Sequence, residues 1–122
     1  VVAAAIVRDG RLLAAQRPFH KREGGKWELP GGKVEPGESE QAALVREIRE
    51  ELLCEVAADM RIGEVTVGDV RLCAWLCSLA DAEPARTEHI ELRWLTPDAV
   101  AGMDWAAADV PLLAALRDAL RW

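Results

Sequence analysis

Three glutamates, Glu47, Glu50 and Glu51, stand at i, i+3 and i+4 in a stretch whose apolar residues recur at helical spacing. On a helix they share one face within about 100° of arc. Like charges so placed repel by roughly a few tenths of a kcal/mol per pair in water, and by more when desolvated. A cation between them would remove that cost. Mg²⁺ suits the donor set, being a hard octahedral ion that takes one or two carboxylates and fills its shell with water or phosphate oxygens. Mn²⁺ accepts the same ligands. The competing reading is a solvated acidic face on which Arg46 pairs with Glu50 at i+4.

The residues upstream favour the ion. Gly31-Gly32 offers unhindered backbone that can approach a ligand. Glu38, eight positions before Arg46, is placed to hold that guanidinium by a charge-assisted bond.

The elements that must position these groups are legible from periodicity and punctuation. Val1–Val7 and Arg11–Arg17 read as two strands joined by an Asp9-Gly10 hairpin turn. Pro18–Lys26, with Lys21, Arg22, Lys26 and His20, reads as an exposed loop. A short strand over Trp27–Pro30 ends at the proline, and Gly31-Gly32 opens a turn. Ser39–Leu53 is the clearest helix, with Ser39 as N-cap, Glu40 in its first turn, and an apolar stripe of Ala42, Leu44, Val45, Ile48 and Leu52. Further strands are expected at Glu55–Met60, Arg61–Val67, Val70–Leu79 and Glu91–Leu95, and a helical turn at Thr96-Pro97-Asp98. Asp109-Val110-Pro111 is expected to cap a last helix carrying Leu113, Leu116 and Leu120. Strands on both sides of a central helix, with a helix at the end, predict an α/β (α+β) sandwich, and 122 residues suit one domain over residues 1–122.

Bulk composition excludes several classes. A net charge of −6 repels nucleic acid and anionic membranes, so no stable binding to either is expected. Cys54, Cys73 and Cys77 are odd in number and lack C-x-x-C spacing, which argues for reduced, buried thiols in a cytoplasmic protein. With His20 and His89 alone, a histidine-based metal site is not expected. No apolar run approaches the roughly 20 residues of a membrane span, and Val1–Val7 lacks a signal-peptide pattern. The chain opens without methionine, and a few residues are expected ahead of Val1.

The segment from Gly32 to Cys54 resembles the Nudix box, G-x5-E-x7-R-E-U-x-E-E-x-G-U, where U is a large aliphatic residue. Gly32, Glu38, Arg46, Glu47, Ile48, Glu50 and Glu51 fall on its required positions. Leu53 replaces the glycine after the helix and Cys54 takes the last aliphatic place. The flanking Trp27–Glu35 run resembles the MutT-type branch. The resemblance implies the Nudix fold, an α/β/α sandwich with a mixed central sheet and a loop–helix that carries the site. It also implies a Mg²⁺-dependent pyrophosphohydrolase that turns a (deoxy)nucleoside triphosphate into the monophosphate and pyrophosphate. Glu47, Glu50 and Glu51 would then ligate the metal, helped by backbone near Gly31 or Gly32, while Glu38 orients Arg46 and the helix. The general base in relatives is a box glutamate such as Glu47 or Glu50, or an acid in the loop before the tryptophan-bearing strand. Glu88, six residues before Trp94, matches that place, with Glu91 a weaker candidate and an exposed loop charge the plain alternative. Arg17 matches a phosphate-contacting arginine and Lys33 adds positive charge, with Lys21, Arg22 and Lys26 left to solvent.

Substrate choice within the family lies outside the box. Trp105–Leu113 resembles the segment by which MutT-type enzymes read the base. Asp109 stands where oxidised-guanine specialists carry asparagine and where the cytidine-triphosphate branch carries aspartate before an aliphatic-Pro-Leu-Leu run. An ionised carboxylate only accepts hydrogen bonds, and cytosine offers its N4 amino group. 8-Oxoguanine also presents donors, so it stays as the alternative, and a plain N-cap is the third reading of Asp109. Trp105 or Trp27 could stack on the base, although tryptophans in a small protein more often pack the core. The absence of tyrosine disfavours a dinucleoside-polyphosphate hydrolase, and Asp69 stands where ADP-ribose hydrolases usually carry proline. A non-catalytic nucleotide-binding module is the remaining rival class, although no box glutamate is missing. Monomer and homodimer both stay open.

Overall fold

The computed structural model describes residues 1–80 and 82–122. Among these residues seven strands and three helices follow in the order β1 (Val2–Arg8), β2 (Arg11–Gln16), β3 (Trp27–Glu28), β4 (Gly31–Gly32), α1 (Glu40–Leu52), β5 (Val56–Val67), β6 (Val70–Leu79), β7 (Leu92–Leu95), α2 (Pro97–Ala101) and α3 (Asp109–Leu120). The strands form one mixed sheet along the path β3-β2-β1-β6-β5, with β4 added to β1 and β7 to β2.

β1 explains the layering. It pairs in parallel with β6 from Val2↔Cys73 to Ile6↔Cys77 and is buried on both faces, as a central parallel strand must be. Val2, Ala4 and Ile6 pack under α1 with Leu44, Ile48 and Leu52. Ala3 and Ala5 face the opposite layer, where Leu112, Leu113 and Leu116 of α3 close the core. The alanines leave space for larger side chains from the helices. The result is the expected α/β/α sandwich.

The β1–β2 hairpin creates the opening for a site. Asp9 and Gly10 both take positive φ, 53° and 72°, as a tight hairpin turn requires. The strands pair only at Val7↔Leu12 and Arg8↔Arg11 and then part. β4 takes up the free part of β1, while β3 and β7 take up β2. The segment from Trp27 to Gly32 therefore threads between the splayed strands.

Two expectations about elements are corrected. Gly31-Gly32 is a two-residue strand against Ala3 and Val2 rather than a turn, because a Cβ on Gly31 would collide with the Val2 carbonyl and only glycine permits the approach. The two strands expected over Glu55–Met60 and Arg61–Val67 are one continuous β5, and register shifts at Ala58/Met60 and Arg61/Gly63 absorb the break in alternation. On α1, Ser39 caps as expected, its Oγ accepting from the Ala42 amide at 3.0 Å. Ala42 is exposed and Ala43 is buried in its stead.

Candidate active site

The loop before α1 is tied to the helix through one guanidinium. Arg46 donates to both oxygens of Glu38, at 2.8 and 2.9 Å, to the Lys33 carbonyl at 2.9 Å, and to Glu47 Oε1 at 3.0 Å. The pairing holds the Glu38 carboxyl far down, at about 2, with the Glu35 amide adding a third hydrogen bond. Glu38 thus positions Arg46, and Arg46 fixes the segment that follows Gly31 and Gly32.

The three helix glutamates have different surroundings. Glu47 is largely covered and lies against Gly32, where an added Cβ would stand 2.5 and 2.6 Å from its two carboxylate oxygens. Glu50 is exposed and lies 3.5 Å from Arg46. Glu51 turns inward: its Oε2 is buried without a hydrogen-bond partner among the described residues. Burial pushes its carboxyl up to about 7, and the negative charges of Glu47, Glu28 and Glu88 add to the shift, opposed by His89. Arg46 draws Glu47 and Glu50 toward itself, so no three acidic, histidine or cysteine side chains are gathered as a ready-made cage among the described residues.

Glu51 lines a cavity of about 630 Å³ at the open end of the hairpin. Around it stand Arg17, Lys21, Lys33, Glu28, Glu88 and Asp109. Arg17 donates through Nη1 to Glu28 at 2.5 Å and through Nε to the Arg22 carbonyl at 2.7 Å. Glu88 is exposed and lies 3.3 Å from Lys21. Lys21 and Arg22, expected to be left to solvent, line the cavity, whereas Lys26 does not. Glu91 pairs with Arg93 at 2.8 Å and is not part of the wall.

Asp109 reaches this cavity because Asp104–Ala106 docks beside Trp27: the Trp27 amide donates to Asp104 at 2.9 Å and the Ala106 amide to Trp27 at 2.8 Å. It is not the N-cap of α3. Ala108 occupies that position in a helical conformation without a side-chain cap bond, so Asp109 already lies in the first turn and is 5 % exposed. Burial raises its carboxyl to about 7, with the Glu28 charge adding and the Leu29 amide and Arg17 opposing. Trp27 and Trp105 belong to the core and do not line the cavity. The Trp105 indole N–H donates to the Val100 carbonyl at 2.8 Å, and Arg93 lies 4.8 Å over the Trp27 ring, so stacking of a base on either ring is corrected to packing.

Residues 1–116 match the NUDIX domain family. The chain belongs to the Nudix hydrolase family. It is 45 % identical to the CTP pyrophosphohydrolase of Escherichia coli K12, over 94 % of this chain and 88 % of that protein. It is 44 % identical to a putative 8-oxo-dGTP diphosphatase 2 of Mycobacterium tuberculosis, over 89 % and 81 %. Among solved structures, the E. coli ORF135 protein superposes with a TM-score of 0.81 at 41 % identity, covering 99 % of this chain and 89 % of that one.

Nudix hydrolases generally use a divalent metal ion, and this site fits one. A buried carboxylate oxygen without a partner, raised toward neutrality by desolvation, is a poor arrangement unless a cation joins it. The bare α-carbon of Gly32 keeps the Glu47 oxygens close to the backbone.

Two residues of the wall escaped the sequence reading. Glu28 sits between Trp27 and Leu29, and a charge inside a short apolar strand was the available signal. His89 is 7 % exposed and lies 2.8 Å from Glu28. A lone histidine in a polar loop carried no periodicity to reveal its burial. The three cysteines are free and buried, as expected. No helix among the described residues is long and apolar enough to cross a membrane.

Proposed function

We propose that this Nudix hydrolase is a Mg²⁺-dependent pyrophosphohydrolase converting (deoxy)nucleoside triphosphates to monophosphate and pyrophosphate, with CTP, dCTP or 5-methyl-dCTP preferred. The observation that carries the reading is that the buried Asp109 and Glu51, whose Oε2 is buried, lie far apart in the sequence yet line one cavity. Glu47, Glu50 and Glu51, with backbone near Gly31 and Gly32, would hold the ion, Mn²⁺ serving in place of Mg²⁺. The ion would neutralise phosphate charge and acidify the attacking water. Arg17, Lys21 and Lys33 bring positive charge to the polyphosphate in a protein that is acidic overall. Water adds to a phosphorus, the phosphoanhydride bond breaks, and the water proton passes to a carboxylate, for which Glu88 on the cavity rim is the chosen candidate. Asp109, when ionised, accepts from the cytosine amino group.

The second reading is 8-oxo-dGTP hydrolysis. It draws on the similarity to the mycobacterial protein and on Asp109 itself, since a carboxyl near neutrality can also meet the donors of an oxidised purine. Pyrophosphate release from the eight canonical triphosphates, 5-methyl-dCTP and 8-oxo-dGTP with Mg²⁺ decides between them. A kcat/KM preference for cytidine nucleotides that Asp109→Asn erases supports the first reading. A preference for 8-oxo-dGTP supports the second, and no turnover of any member would sink both.

A further inference from the structure

His89 is 7 % exposed, lines the cavity, and has one ring nitrogen without a partner among the described residues. Its place is set from two sides. The Thr87 hydroxyl donates to the Glu51 carbonyl at 2.8 Å, and the Ile90 amide donates to Gln16 at 3.0 Å. The loop before β7 is thereby pinned to the end of α1 and to the end of β2, and His89 is carried inward between them.

What the ring does there follows from its one bond. Its Nε2 lies 2.8 Å from Glu28 Oε2, while Glu28 Oε1 accepts from Arg17 Nη1 at 2.5 Å. Burial pushes the Glu28 carboxyl up, yet the bonds from His89 and Arg17 outweigh it and hold it below the ordinary carboxylate range. An ionised carboxylate is an acceptor only, so Nε2 must be the donor. A carboxylate facing an arginine otherwise prefers two parallel bonds to the guanidinium. With Oε2 turned toward His89, Glu28 takes a single arginine N–H, and Nη2 keeps no hydrogen-bond partner among the described residues.

We propose that His89 is a positioning residue for the polyphosphate: by holding Glu28 Oε2 it keeps the Arg17–Glu28 pair single-bonded, so that the second Arg17 nitrogen stays free for a phosphate oxygen. This rests on the reading of Arg17 as a phosphate contact. A mere core histidine would affect stability alone, whereas this role affects phosphate affinity.

The test is a set of variants assayed with the triphosphate turned over fastest in the panel above, together with calorimetric binding of inorganic pyrophosphate in the presence of Mg²⁺. His89→Phe releases Oε2 and should raise KM about tenfold and weaken pyrophosphate binding similarly, with kcat changed far less. His89→Gln, whose amide can donate from the Nε2 position, should restore KM to near the wild-type value. In a Glu28→Gln background the effect of His89→Phe should vanish, because the pair acts as one unit. If the phenylalanine variant melts below the assay temperature, His89→Asn replaces it, since its amide stops short of Glu28. An unchanged KM in Arg17→Ala would sink the phosphate-contact reading and this inference with it. A raised KM in Arg17→Ala beside an unchanged KM in His89→Phe, or a His89→Phe effect that persists without Glu28, would sink the inference alone.

Discussion

The Glu47 carboxylate lies on the bare α-carbon of Gly32, so close that a Cβ there would stand 2.5 and 2.6 Å from its two oxygens. The glycine therefore serves as a shelf for a side chain, although its own φ is not left-handed. Gly32→Ala must push the carboxylate away, and Glu47 in turn pulls on Arg46 at 3.0 Å. Activity should fall about 100-fold while the fold survives, because a displaced charged group costs transition-state stabilisation far more than packing. Steady-state kinetics alongside thermal melting check this. Near-normal kcat in a folded variant would show that the Glu47 position is unimportant.

The sequence made much of this site legible, and the limits are physical. Glu38, Arg46, Glu47, Glu50 and Glu51 lie within one loop–helix unit, where spacing translates directly into geometry. β1 was legible too, since its run of small and β-branched residues fits a strand buried on both faces. The wall of the cavity was harder. Asp109 looked like a cap because Asp before Val-Pro fits that role, and only the docking of Asp104–Ala106 beside Trp27 turns it inward. The joining of β5 across two register shifts is a tertiary effect of pairing with β6. His89 and Glu28 meet across 61 positions, a distance no local pattern spans.

Glu50 and Glu51 should both be required for catalysis, with different consequences for stability. Glu50→Gln and Glu51→Gln should each lower kcat by roughly 100-fold or more, since metal binding and transition-state charge are lost together. Glu51 is the less exposed of the two, with a buried, unpartnered oxygen among the described residues. Adding Mg²⁺ to chelator-treated wild-type protein should therefore raise Tm. In Glu51→Gln the rise should be much smaller. Differential scanning fluorimetry with and without Mg²⁺ reads this, and equal Mg²⁺-induced shifts in the two proteins would place the ion elsewhere.

Asp109 ties stability to pH in the direction opposite to a salt-bridged acid. Burial raises its carboxyl from the ordinary 3.8 to about 7, so between those values the folded chain binds more protons than the unfolded one. Stability contributed by this group is therefore full below about 3.8, declines as pH rises, and levels off above about 7. Asp109→Asn removes the dependence. In metal-free buffer the variant's Tm minus the wild-type Tm should grow from pH 4 to 7, windows set by those two values, and stay constant beyond. A difference that shrinks with rising pH would mean that Asp109 is ionised throughout.

Leu53 occupies the helix exit in a left-handed conformation, φ 54° and ψ 36°, and its amide donates to the Arg49 carbonyl at 3.2 Å. The backbone thus keeps the geometry that glycine would supply, but with a Cβ against the neighbouring carbonyl, a cost of about 1 kcal/mol for an L-residue. The side chain offers little in return, being 61 % exposed. Leu53→Gly should therefore stabilise the chain by up to about 0.5 kcal/mol, the larger chain entropy of unfolded glycine offsetting part of the gain. The glutamates proposed to hold the ion lie upstream of this exit, so kcat should change little. Urea unfolding gives the answer directly: an unchanged m-value with a higher midpoint is expected. A lower midpoint would mean that the exposed leucine makes contacts worth more than the strain it carries.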